Sequence, residues 1–235
     1  MSMMDRKTAI FRKYASLIWP TQCPICGEVL EYDGLLCDDC IDNLPYNDEK
    51  ICPVCGKKQC LDHSAIHFDA VYTLVQYEYP VITAIYDLKD GLILNLAEYA
   101  SVEIAKRMKA DGIAEQVDLV TAVPMYWLKK EDKSINQAEA IARYMARELE
   151  KPYDFSLLKK KRGFQVQHKK SVSDRRAFAD KVFYISPKHN DIKGKTVVLC
   201  DDVYTTGATL NSCTDLLKEL GAEKVIVMAI ANTEK

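Results

Sequence analysis

Two adjacent carboxylates, Asp201 and Asp202, follow the apolar run Val197-Val198-Leu199-Cys200 and precede Val203-Tyr204-Thr205-Thr206-Gly207-Ala208-Thr209. A short continuous apolar run reads as a strand buried on both faces, and this one delivers both acids together. The Thr/Gly stretch then opens into a helical pattern over 209–220. Backbone N–H groups, three threonine hydroxyls and the partial positive charge of a helix N-terminus make such a loop a phosphate cradle. Gly207 permits close backbone approach or an unusual dihedral there. Carboxylates just upstream suit the hydroxyls of a ribose. Each part has an ordinary reading too, since acids end strands and Thr206 is a residue type that caps helices. The combined string is much rarer than either part.

The second chemical signal is cysteine. Seven of the nine cysteines lie between Cys23 and Cys60, as Cys23-x2-Cys26, Cys37-x2-Cys40, Cys52-x2-Cys55 and Cys60-x2-His63. A two-residue gap turns both thiolates toward one ion, and two such pairs complete a tetrahedral site. Cys23-Pro24-Ile25-Cys26-Gly27 is echoed by Cys52-Pro53-Val54-Cys55-Gly56. The repeat points to two zinc ribbons, one with four cysteines and one with three cysteines and a histidine. Each set supplies four ligands and leaves no open position, so two structural Zn2+ ions are expected rather than a catalytic one. Disulfides are the alternative and require an oxidising compartment. His67 competes with His63 as the last ligand.

The elements that must position these groups follow from length and patterning. The chain has 235 residues, 48% hydrophobic and 28% charged, with a formal net charge of −2. That composition describes an ordinary globular chain, and a pI near 6.1 argues against a wholly basic nucleic-acid coat protein. No run of about eighteen apolar residues occurs, so no membrane insertion is expected. Residues 1–20 suit a short amphipathic helix, too broken for a secretory signal, and a cytoplasmic protein is expected. Strands are expected over 69–79, 117–123, 182–185, 196–200 and 224–230. Helical spacing marks 80–88, 92–109, 134–150 and 209–220. That alternation predicts an α/β fold, a parallel twisted sheet flanked by helices, with a unit boundary near residue 68. Cys200 and Cys213 read as inert core cysteines.

Taken together, the two acids and the Thr-Thr-Gly-x-Thr loop resemble the fingerprint for 5-phosphoribosyl 1-diphosphate (PRPP) of type I phosphoribosyltransferases. With the ribbons, the chain from residue 23 onward resembles the ComF family of bacterial competence-associated proteins. Leu88-Lys89-Asp90-Gly91, Val123-Pro124-Met125 and Asn136-Gln137-Ala138-Glu139 are similar to that family's other stretches. Where the family reads Arg-Gly-Phe before Asn-Gln, this chain has Lys133-Ser134-Ile135, so a bidentate guanidinium is replaced by a point charge. The resemblance implies a type I phosphoribosyltransferase-like domain over 69–235 behind a small double zinc-ribbon domain over 1–68. It implies catalytic Asp201 and Asp202 on the ribose hydroxyls, and Thr205, Thr206, Gly207, Ala208 and Thr209 on the 5′-phosphate. Val123 and Pro124 would face pyrophosphate, Lys89 would join the ligand site, and Mg2+ would accompany PRPP. It also implies a role in DNA uptake or recombination, with proteins of those processes as partners. Two alternatives stand beside that reading. One is a salvage-type transferase that joins phosphoribose to a base or amine, and the other is a single-stranded DNA-binding accessory with a vestigial PRPP site.

The basic segment 159–176 separates them. It holds eight Lys/Arg against one acid, Asp174, while residues 1–70 hold seven against eleven. With Phe164 and His168 interleaved, it suits the phosphates and bases of a single strand. The same cations equally suit the charges of PRPP, or a solvated face.

Overall fold

The computed structural model describes residues 21–31, 34–47, 52–56, 62–89, 94–125, 136–161 and 182–233. The expected N-terminal helix over 1–20, Cys60, Asp90, Gly91, Lys133 and most of the basic segment lie outside them.

Four parallel strands form the main sheet in the order β1-β6-β5-β2: β1 (Ala70–Gln76), β2 (Leu119–Ala122), β5 (Thr196–Tyr204) and β6 (Lys224–Asn232). The central strand β6 is buried from its second residue to its last, as a near-continuous apolar run in a covered parallel sheet must be. Helices α2 (Val81–Lys89) and α3 (Asn95–Ala110) link β1 to β2. Helix α4 (Gln137–Leu149) follows β2, and α5 (Ala208–Glu219) links β5 to β6. Helices α3 and α4 pack on each other, with α3 against β1 and β6 and α4 against β2 and β5. The right-handed crossover rule puts α5 on the opposite face, against β5 and β6. On α4, Ile141 and Met145 are fully buried at i, i+4, each worth about 1.5–3 kcal/mol of transfer free energy.

Two differences from the sequence reading concern edges. The strand expected over 182–185 is β4 (Phe183–Ile185), and it pairs antiparallel with β3 (Leu158–Lys160), outside the main sheet. Leu-Lys-Lys has no apolar alternation, so its pattern predicts no strand at β3. Its only buried side chain, Leu158, is enough to seat it. Strand β5 also runs on to Tyr204 rather than stopping at Cys200. Ala122, the last residue of β2, stands opposite Cys200, so Asp201 to Tyr204 project past the end of that neighbour. On the other side they stay paired with β6, with Asp201 opposite Ala229 and Tyr204 opposite Asn232.

Candidate functional site

That overhang brings the fingerprint together. Asp201 and Asp202 are half-buried at the carboxyl end of β5, where open α/β sheets hold their ligands. Asp201 Oδ1 accepts from the N–H of Asp202 at 2.9 Å, and Asp202 Oδ1 accepts from the N–H of Val203 at 2.7 Å. Only Thr205, Thr206 and Gly207 then separate β5 from α5. Thr205 and Thr206 are exposed, and Thr209 is half-buried on the first turn. Gly207 caps the helix at φ 75°, ψ −2°, a left-handed conformation that penalises any residue with a Cβ. Gly207, not Thr206, is the N-cap; Thr206 stands one residue before it, its Oγ1 accepting from the N–H of Ala208 at 3.4 Å.

Val123 and Pro124 leave the end of β2 beside the acids, Val123 N–H donating to the Cys200 carbonyl at 2.9 Å. Asn136 explains why Asn-Gln-Ala-Glu starts the next helix. Its Oδ1 accepts from the N–H of Ala138 at 3.1 Å, the usual N-cap bond. Its Nδ2 donates to Glu139 Oε1 at 3.1 Å and reaches the Val123 carbonyl at 3.5 Å. The motif thus ties the Val-Pro turn to α4. Lys89 ends α2, and its side chain lies outside the described residues. Cys200 and Cys213 are fully buried, and burial, then the charge of Asp201, pushes both thiols up, as inert core cysteines require.

The cysteine pairs converge as well. The ligand atoms of Cys23, Cys26, Cys37 and Cys40 all lie within 4.8 Å of one another, and so do those of Cys52, Cys55 and His63. Tetrahedral zinc with bonds of about 2.3 Å needs sulfurs about 3.8 Å apart. The Sγ atoms of Cys26 and Cys37 are 3.6 Å apart, so the set fits zinc. The two echoed knuckles fold alike: Gly27 N–H donates to the Cys23 carbonyl at 2.9 Å, Gly56 N–H to that of Cys52 at 2.8 Å. The Cys37 pair is different. Cys37 caps helix α1 (Asp38–Asn43) and Cys40 sits in its first turn.

Burial raises the Cys23 thiol, but the N–H groups of Cys37, Cys26 and Ile25 outweigh it and bring it down to about 7. For Cys52, burial is likewise outweighed by the N–H groups of Cys55 and Val54 and by His63, down to about 6. Cys40 is pushed up by burial and by its three neighbouring thiols. Thiolates this close repel one another, a conflict that a bound divalent cation removes.

The structure sets His63 and His67 apart. His63 Nε2 lies 3.2 Å from Cys52 Sγ, whereas His67 Nδ1 lies 2.8 Å from the Asp215 carboxylate on α5. The sequence reading missed the residues around Tyr204. This side chain is buried, donates to the Cys55 carbonyl at 3.0 Å and meets Phe68 edge-on at 5.9 Å.

Residues 136–235 match the family model described as phosphoribosyl transferase domain, and residues 14–71 match the double zinc ribbon domain. A type I phosphoribosyltransferase fold behind a double zinc ribbon is the class that fold and site define. Similarity to several curated proteins extends over most of their length. The chain is 26% identical over 216 residues to Competence protein F of Haemophilus influenzae, covering 89% of this chain and 83% of that one. It is 25% identical over 215 residues to DNA utilization protein YhgH of Escherichia coli O157:H7, covering 90% of each. To Competence protein ComFC of Bacillus subtilis it is 24% identical over 205 residues, covering 82% of each. The chain thus carries the two domains that the family models describe and is similar over most of its length to these competence and DNA utilization proteins. Among the described residues, no helix is long and apolar enough to cross a membrane.

Proposed function

We propose that this protein binds PRPP at the end of β5 and serves DNA uptake or recombination in the cytoplasm. The observation that carries the reading is the overhang: two carboxylates and a three-residue Thr-Thr-Gly turn stand together where β5 outruns β2 and α5 begins. Asp201 and Asp202 accept hydrogen bonds from the ribose 2′- and 3′-hydroxyls. The loop N–H groups and the hydroxyls of Thr205, Thr206 and Thr209 take the 5′-phosphate. Val123 and Pro124 face the diphosphate, with Lys89 nearby in the sequence pattern. The carboxylates and the diphosphate oxygens suit a hard cation, and Mg2+ supplies positive charge to the leaving group when bound. Zinc at the two clusters is structural, clipping a unit over 1–68 that is too small to fold on apolar burial alone. The transferase-like unit takes up 69–235.

If phosphoribose is transferred, an acceptor nitrogen bonds to C1 as the C1–O bond to diphosphate breaks and its electron pair leaves on that oxygen. The acceptor's proton goes to solvent or to diphosphate. The transition state carries oxocarbenium character, and the chain contributes position and charge rather than a nucleophile. The names of the relatives, competence and DNA utilization, support the cellular role.

Calorimetry with PRPP and Mg2+, then pyrophosphate release over candidate bases and amines, tests the reading. Binding without release leaves a ligand-binding family member, and release with one acceptor makes it a salvage-type transferase. No PRPP binding with retained single-stranded DNA binding establishes the accessory reading instead.

A further inference from the structure

We infer that the second metal centre positions the phosphate loop, with Tyr204 and Asn211 as the positioning residues, so that metal held there and ligand held by the loop are coupled. The inference rests on the proposed PRPP site and deepens it. Thr205, Thr206 and Gly207 are the whole connection between β5 and α5, and both sides of it are fastened to the second ribbon. On the strand side, Tyr204 is 3% exposed and its hydroxyl donates to the carbonyl of Cys55, one of the clustered ligands. Its ring is a spacer between two glycines. A Cβ on Gly56 would lie 3.4 Å from ring Cε1, and a Cβ on Gly207 would lie 3.1 Å from Cε2, on the opposite edge. The knuckle and the phosphate loop therefore flank two edges of one aromatic ring, with room at each for a glycine.

On the helix side, Asn211 Nδ2 donates to the Ala65 carbonyl at 2.7 Å, and its Oδ1 accepts from the His67 N–H at 3.1 Å. One turn further along α5, Asp215 holds the His67 ring at 2.8 Å. Ala65 and His67 lie two and four residues past His63, the ligand that the cluster joins to Cys52 and Cys55. Metal ligation across this set fixes the distance between the two fastenings. A loop whose two ends are held at one spacing has little freedom left to lose when a phosphate binds.

The first ribbon is fastened elsewhere. The hydroxyls of Tyr46 and Tyr99 share a hydrogen bond at 2.6 Å, and Asn47 Nδ2 donates to Thr73 Oγ1 at 2.7 Å. Those contacts reach α3 and β1, and β1 is separated from β5 by β6. Coupling between two ligand sites is reciprocal in binding free energy, so bound PRPP must tighten metal binding at equilibrium by the same factor by which bound metal tightens PRPP.

The test uses the full zinc-loaded chain, with Tyr204→Phe and Asn211→Ala compared against Tyr46→Phe, which removes a hydroxyl from the first ribbon's fastening. Three quantities are read: the PRPP dissociation constant by calorimetry, zinc affinity by competition with a chromophoric chelator with and without PRPP, and amide hydrogen exchange over 205–211 without ligand. In the unaltered protein PRPP raises the equilibrium affinity for one zinc equivalent, read by competition with the chelator, by about fivefold or more. Tyr204→Phe and Asn211→Ala each weaken PRPP by about tenfold, abolish that gain and speed exchange over 205–211. Tyr46→Phe changes none of the three. Zinc affinity indifferent to PRPP, or a Tyr46→Phe protein that reproduces the losses, overturns the coupling. Failure of the unaltered protein to bind PRPP overturns the proposed function instead. The positioning claim is then decided by exchange: faster in Tyr204→Phe than in Tyr46→Phe upholds it, and equal rates overturn it.

Discussion

Gly207→Ala puts a single methyl group where both stability and ligand binding read it. Gly207 sits at φ 75°, so an alanine there meets a left-handed cost of about 1–2 kcal/mol. The methyl also lies 3.1 Å from Tyr204 Cε2, closer than ordinary contact, and the ring must move by a few tenths of an ångström. It has little room. Its other edge faces Gly56, Phe68 meets it edge-on, and its hydroxyl is held by the Cys55 carbonyl. Overpacking of that kind adds about 1 kcal/mol, the low end of its range. The total is about 2–3 kcal/mol, or a melting temperature lower by about 5–10 °C for a chain this long. Gly112→Ala supplies the control, because Gly112 has a similar φ of 68° and a methyl group there would meet nothing within 4 Å. It should cost the dihedral part alone and leave ligand affinity unchanged. Scanning calorimetry and titration with ribose 5-phosphate, which presents the 5′-phosphate without the diphosphate, measure both consequences. Identical melting temperatures and identical ribose 5-phosphate affinities for the two alanine variants would refute the reasoning, since the ring contact would then do nothing.

Elemental analysis should find close to two zinc per chain, and a strong chelator should unfold the first seventy residues while sparing the sheet; disulfides among Cys23, Cys26, Cys37 and Cys40 would contradict this. Replacing Asp201 and Asp202 together by Asn should weaken PRPP by about 2–4 kcal/mol in calorimetry with little change in melting temperature, and unchanged affinity would remove them from the site. Asn136→Ala should cost about 1 kcal/mol of stability through the lost N-cap, read by denaturant titration. Exchanging Lys159, Lys160, Lys161 and Arg162 for Gln should flatten the log–log salt dependence of single-stranded DNA binding by about 0.7 per lost phosphate contact. If those residues serve the diphosphate instead, PRPP affinity falls while ribose 5-phosphate binds as before.

The elements of the sheet are legible where burial is two-sided. Val197 to Cys200 and the run that forms β6 have no polar interruption, and a parallel strand covered on both faces leaves no other reading. The knuckles are legible because a repeated Cys-Pro-x-Cys-Gly needs the same turn twice. β3 is not legible, since Lys159 and Lys160 carry no apolar period and the strand is fixed by pairing with residues 183–185, beyond an intervening basic segment. The end of β5 is misplaced by the sequence pattern for a related reason. Two acids look like the end of a strand, but β6 continues beside them with Ala229 and Ala231, small residues that keep the ladder paired. Tyr204 stands in the fingerprint string as one residue among hydroxyl-bearing neighbours. Its partner Cys55 is 149 residues away, and no local pattern encodes a contact of that separation.

The placement of the second knuckle gives the two halves of the chain unequal dependence on metal. The sheet carries its own core, with β6 buried almost throughout and β5 buried from Thr196 to Cys200, and it stands on apolar burial. On the proposed zinc reading, a unit as short as the ribbons depends on ligation for its folded state. A phosphate loop held only by the sheet would inherit the sheet's indifference to metal. Here the residue before the loop bonds the knuckle of Cys55, and the helix after it bonds the segment that follows His63. The loop therefore inherits the conditional stability of the ribbon, although its sequence belongs to the sheet. Asn232, the last residue of β6, ties the same knuckle from a third direction, donating to the Gly56 carbonyl at 3.0 Å. The central strands and the loop thus share one attachment at residues 55 and 56, and loss of that attachment would reach the ligand site before it reached the core.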